Sequence, residues 1–316
     1  MNCFMKTTNL RNSLLIGFLT FLFALQTMAQ EHFGPATSNY SPTSSMFLNP
    51  SSIVDSKAFV DIHVAGAGAF LDNNLVYLSK EEFKLTRGMK QFNDQLLPRQ
   101  NLSGGDKYGF SSVLLQGPSV TAVLGRFSVG FHTAARAVVD ARNISPTMSN
   151  FIFEGLSFEP QMNTQYHEKD LKANALTWAE AGLTFGGILI QQNKHQLSGA
   201  FTARRLIGIG AASAQIDDLD FLVGDSAALH LNNLTGSLAT TMPAWNAGRG
   251  WGFNIGFTYK KMKEEVNGYK PHSRQSNCEA KDYQYKVGIS LLDAGSIRFD
   301  RQANSTTINN ASLHFD

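Results

Sequence analysis

Cysteine is nearly absent: the 316-residue chain has two, Cys3 and Cys278. Cys3 lies in a segment that reads as removable, which leaves Cys278 alone, so stability must come from burial or from a membrane rather than a disulfide. Charge is scarce too. Asp, Glu, Lys and Arg make up 16% of the chain, against about 25% in soluble domains. Beyond the first thirty residues no hydrophobic run approaches the roughly 20 residues of a membrane-crossing helix, which excludes helical membrane proteins. Lys and Arg are spread thinly rather than gathered in a stripe, so nucleic acid is not an expected partner.

What is present begins with Lys6 and Arg11, an apolar run from Leu14 to Leu25, and then Gln26-Thr27-Met28-Ala29. These are the three parts of a signal peptide, with cleavage expected after Ala29. The apolar run is too short to anchor the chain, and Cys3 lies upstream of where a lipoprotein cysteine would stand. Losing Lys6 and Arg11 from the 27 basic residues leaves 25, level with the 25 acidic ones. The reading is therefore residues 1–29 as a signal peptide, 30–57 as an N-terminal periplasmic or lumen segment, and 58–316 as one β-domain.

Period-two alternation runs from Phe127 to Arg142, with Phe127, Val129 and Phe131 on one face and His132, Arg136 and Asp140 on the other. Helical period would scatter both sets. The run also exceeds the 9–11 residues that span an outer membrane as a tilted strand. The pattern returns in Trp251 to Lys260 and Tyr283 to Leu292, and more weakly from Ala58, Gly109, Asn174, His195, Ala228 and Thr306. That makes nine strands, an odd number where bacterial single-chain barrels have an even one. Long connections starting at Asp72, Asn143, Ala211 and Met262 alternate with short ones at Gly125, Gln191 and Thr241. The expected fold is all-β, an antiparallel transmembrane β-barrel of outer-membrane type, incomplete or open, with long extracellular loops and short periplasmic turns. A break or bulge is expected at Gly117-Pro118; Lys80 to Leu97, in the first long loop, could form a short amphipathic helix, with plain loop the favoured reading.

Leu48-Asn49-Pro50-Ser51-Ser52-Ile53, Gly117-Pro118-Ser119, Gly250-Trp251-Gly252-Phe253-Asn254-Ile255-Gly256 and Val287 to Ile297 together carry a resemblance. The chain resembles a Bacteroidota outer-membrane β-barrel family classed as a domain of unknown function, whose members often continue into an OmpA-like domain. The resemblance covers about Gln30 to Phe299 and implies a tie to envelope architecture. Family members continue well beyond the strand that ends at Ile297, so the chain reads as lacking the family's C-terminal part. An Asn-Pro element ahead of the first strand is also similar to the fatty-acid-transporter type of barrel, in which the N-terminal segment enters the lumen. As an Asn-Pro dipeptide, Asn49-Pro50 is favoured as a simple turn over such a plug.

No constellation argues for an enzyme, a cofactor or a metal. Gly208-Ile209-Gly210-Ala211-Ala212-Ser213 lacks the final Gly or Ala at its sixth position and the strand-to-helix context of a dinucleotide fingerprint. Asp217, Asp218, Asp220 and Asp225 read as a solvated acidic loop rather than a calcium site. His132, Arg136 and Asp140 are about 13 Å apart in steps of four along a strand and form no triad. They are expected to join Glu180, Arg204 and Lys286 in a polar, lumen-facing interior. Three functions remain: a non-enzymatic envelope structural barrel, a channel for small apolar solutes gated by residues 30–57, and a soluble periplasmic β-protein. A continuous apolar lumen favours the second and paired lumen charges the first; the expected partners are outer-membrane lipid and other envelope proteins.

Overall fold

The computed structural model describes residues 35–54, 56–77, 99–101, 103–155, 160, 162–224, 229–272, 281–301 and 303–315. The expected signal peptide and the Lys80 to Leu97 segment, for which a helix is the lesser alternative, lie outside them. The chain starts with a 3-10 turn at Pro35–Thr37, a short helix α1 (Pro42–Ser45) and a second 3-10 turn at Pro50–Ile53. Strands follow as β1 (Val60–His63), β2 (Gly66–Asn73), β3 (Val76–Tyr77), β4 (Arg99–Gln100), β5 (Lys107–Gln116), β6 (Ser119–Leu124) and β7 (Phe127–Ile144). After α2 (Pro146–Glu154) come β8 (Thr164–Gln192), β9 (His195–Val223), β10 (Leu229–Thr241), β11 (Gly248–Met262), β12 (Tyr283–Phe299) and β13 (Ala303–Phe315).

Every pairing among the described strands is antiparallel. The register corrects the strand count. Both β10 and β11 pair with β9, from Leu229 opposite Val223 to Thr240 opposite Ala212, and then from Gly248 opposite Gly208 to Lys261 opposite His195. They are one strand path with an excursion at Met242 to Ala247. Likewise β12 pairs with β11 and β13 with β10. On the other side, β1 and β2 pair with β6 and β5 as two halves of one path. The sheet is thus a meander of seven paths rather than nine strands.

The supposed connection at Thr241 is an interruption within a path, and the strands read from Tyr283 and from Thr306 are two halves of another path. Pro243 supplies no backbone donor, and the excursion is tied back where Ala244 N–H donates to Ile209 O at 2.9 Å. The connection expected from Ala211 is strand throughout its first thirteen residues, because β9 continues to Val223. Strict alternation of long and short connections therefore fails at 224–228 and 263–282. Gly125 (φ +69°) and Asn193 (φ +52°) do make the two tight turns, where left-handed residues match strand twist. The break at Gly117-Pro118 separates β5 from β6, with Gly117 N–H donating to Thr133 O at 2.8 Å.

The two faces of the sheet are inverted relative to a soluble sandwich. On β7, Ser128, His132 and Ala134 are buried while Phe127, Val129 and Phe131 are exposed. On β9 and β11, Gln196, Ser198, Thr202, Arg204, Asn254 and Thr258 are buried, and Phe201, Trp251, Phe253, Ile255 and Phe257 are exposed. The first set defines the inner face. No helix of the described residues is long and apolar enough to cross a membrane, which says nothing about strands.

Candidate functional site: the plugged polar face

Residues 36–54 and Ser56 lie along the inner face. Asn49 caps the second 3-10 turn, its Oδ1 accepting from Ser51 N–H (2.9 Å) and Ser51 Oγ (2.7 Å), the role for which Asn is favoured at a helix start. Its Nδ2 donates to Phe257 O (3.2 Å) on β11. Ser290 Oγ on β12 donates to Leu48 O (2.7 Å), and Ser51 Oγ meets Thr258 Oγ1 at 2.6 Å. Met46, Ile53 and Val54 make a small buried cluster with Ile188 and Ala200. On the opposite edge, Thr43 Oγ1 donates to Asp61 Oδ2 of β1 (2.6 Å).

Asn49-Pro50 does form a turn, but the turn is the head of a segment packed across the sheet, so the turn-only preference is corrected. Absent side chains make the room. A Cβ at Gly256 would collide with the Asn49 amide and the Pro50 ring, and one at Gly186 would stand 2.7 Å from Val54 Cγ2. Glycine inside a strand commonly marks such a close approach of another segment.

Above the plug four charged side chains close a ring. Glu180 on β8 meets Arg204 of β9 (3.0 Å) and Arg136 of β7 (3.2 Å). Asp293 of β12 meets the same two arginines, at 2.7 Å from Arg204 and 3.2 Å from Arg136. Trp178 Nε1 donates to Glu180 (3.1 Å), and Asn254 Oδ1 accepts from Arg204 (2.9 Å) and from Asp293 N–H (2.7 Å). Glu180 and Arg204 are taken out of water and need this degree of pairing, while Asp293 is 55% exposed at the edge of the ring. Four strand spacings separate β7 from β12 in the sheet order, about 19 Å on a flat sheet. Contact between Arg136 and Asp293 therefore requires the sheet to curve around its inner face. Phe47 of the plug completes the site, with its ring 4.9 Å from that of His132 and 5.6 Å from the Arg136 guanidinium.

The structure thus brings together four of the six expected polar residues: His132, Arg136, Glu180 and Arg204. His132 Nε2 is 3.8 Å from Glu180 Oε1. The other two are placed elsewhere. Asp140 pairs with its neighbour Arg142 (3.0 Å), and Lys286 reaches Asn39 Oδ1 (3.3 Å) nearer the plug's first turn. Sequence reasoning missed Asp293, whose φ of +57° at a register shift between β11 and β12 turns its side chain inward. The only signal was Asp293-Ala294-Gly295 at the end of an alternating run. It also missed Asn254, Trp178 and the plug residue Phe47.

The acidic group is relocated as well. Asp217, Asp218 and Asp220 lie on β9, not in a loop, and Asp225 falls outside the described residues. His167 of β8 stands 2.5 Å from Asp220 and 3.7 Å from Asp218, which also accepts from Asn233 (2.7 Å). The ring and this group are ion-paired chiefly among their own members, which ties strands together, although Glu180 Oε1, both His132 ring nitrogens and Asp218 Oδ1 make no hydrogen bond among the described residues.

No curated protein and no solved structure matches the chain. A family model described as a family of unknown function (DUF5723) matches residues 50–316. With that match running from Pro50 of the plug through every path of the sheet, the chain belongs to this family of unknown function, DUF5723.

Proposed function

We propose that this protein is a non-enzymatic β-sheet component of a bacterial outer membrane, of the Bacteroidota type that its sequence resembles, exported by its signal peptide and serving envelope structure. The observation that carries the reading is the inversion of the faces: ion-paired charge is buried inside while Phe127, Phe185, Phe201 and Phe257 stand exposed outside. In water an apolar face of that extent is a liability; against lipid it is the stable arrangement, with apolar and polar side chains alternating along each strand. On β11 the exposed run from Trp251 to Tyr259 covers about 27 Å of strand. A tilt of about 40° reduces this to roughly 20 Å, near the apolar band about 25 Å tall of outer-membrane barrels. Aromatic residues flank it, Tyr259 and Tyr285 at one end and Trp245 and Trp251 at the other, as at membrane interfaces. Beyond Trp251 the upper parts of β8 and β9 carry Lys169, Asp170, Lys172, Asp217 and Asp218 and belong in water.

The paired charges and the seated plug favour the structural role over a channel for apolar solutes, which needs a continuous apolar path. The exposed aromatic face argues against a soluble periplasmic protein. The test is fractionation of cells expressing the chain, with Val129→Cys and Ser128→Cys variants probed by a membrane-impermeant, charged thiol reagent. We expect retention in outer membranes after urea washing, and protection of position 129 that detergent removes. Release by urea together with free labelling at 129 refutes the reading.

A further inference from the structure

We propose that the outer face carries a binding site for a phosphate-bearing lipid, made by Arg205, Arg249 and Arg298 beside Trp245 and Trp251; this rests on the membrane reading above. Arg249 and Arg298 are direct cross-strand partners on β11 and β12, and Arg205 of β9 is the partner of Trp251. Like charges directly opposite each other on a sheet repel. Yet among the described residues no carboxylate forms an ion pair with any of the three. Their contacts are neutral: Arg205 donates to Gly250 O (3.3 Å) with its guanidinium 5.2 Å from the Trp251 ring centre, and Arg249 donates to Asn246 Oδ1 (3.2 Å). Three guanidinium groups with no ion-paired carboxylate among the described residues, beside exposed aromatic side chains, are the complement of a phosphate, which guanidinium forks bind in bidentate fashion.

Two further features select a lipid as the bearer of that phosphate. The arginines stand at the rim of the exposed apolar band, the level at which a bilayer presents its headgroups. Beside them the excursion at Met242 to Ala247 projects Trp245, 70% exposed, over the sheet. Trp245, Leu115 and Ile207 wall a groove of about 400 Å³ floored by Ala135, Ala179 and Ala181. With small residues as its floor, the groove is the place for the acyl chain of a lipid whose headgroup rests on the arginines.

The experiment uses the full mature chain in phosphatidylcholine bilayers doped, at equal mole fraction, with brominated-chain phosphatidylglycerol or brominated-chain phosphatidylcholine. Quenching assigned to Trp245, by difference from a Trp245→Phe variant, reports which lipid occupies the groove. We expect preferential quenching by the anionic lipid, falling roughly fivefold for each of Arg205→Gln, Arg249→Gln and Arg298→Gln. Equal quenching by both lipids overturns the site and leaves the membrane reading standing. Quenching by neither overturns the membrane reading itself. Loss of the preference on adding inorganic phosphate shows a site for the free anion and also overturns the lipid proposal.

Discussion

Arg204 is held between Glu180 and Asp293 and is only 2% exposed. Arg204→Met leaves two inward carboxylates sharing Arg136, and the loss of one partner from a buried ion pair costs about 3–5 kcal/mol. We expect that loss in urea unfolding of the reconstituted protein, with most of it restored in Arg204→Met/Glu180→Leu. At the other end of the plug, Lys57 Nζ lies 3.0 Å from Asp282 Oδ1. The hydrogen bond from Lys57, helped by its charge and by Lys263, holds the Asp282 carboxyl below the ordinary aspartate value, and the same bond raises Lys57. A depressed carboxyl contributes stability above its unfolded value and loses it as pH falls through its folded one. A raised lysine loses its contribution only as pH rises past its own. Protease protection of residues 36–56 should therefore be level through neutral pH and weaken below about pH 4. Asp282→Asn should remove the acid-side change.

Among the elements, strands were legible wherever one face is apolar and the other polar, as in β7 and β11, since alternation is a local property. Their joining was not. Whether Met242 to Ala247 is a turn or an excursion depends on whether β11 returns beside β10 or continues along β9, a pairing choice that no local pattern encodes. The ring was legible in three of its four members: Arg136, Glu180 and Arg204, like the adjacent His132, sit on the inner phase of clean strands, whereas Asp293 gets there through a left-handed bulge that shifts the phase. The plug was read as a turn because its packing partners, Gly256 and Ser290, lie more than two hundred positions away. Its fit can be tested at one atom. Gly256→Val should expel the segment and expose it to protease, while Gly104→Val, where the added side chain meets nothing, should leave protection unchanged.

For the whole molecule, the path of β1 and β2 and that of β12 and β13 each have a neighbour on one side only among the described strands. Unpaired backbone in a hydrocarbon solvent costs several kcal/mol per group, so the purified chain in detergent should lack the shift in gel mobility on boiling that closed barrels give. A clear shift would mean that the two edges meet. Across that opening the plug reaches both sides, through Asp61 on β1 and through Ser290 on β12. This sets a clock on assembly. On the export proposed above, the plug would reach the periplasm ahead of the whole sheet, yet Leu48 is 242 positions from Ser290 and finds that partner only once the last path is laid down. The first part of the domain to be delivered is thus among the last to settle, and until then its Met46, Phe47 and Ile53 need a temporary host.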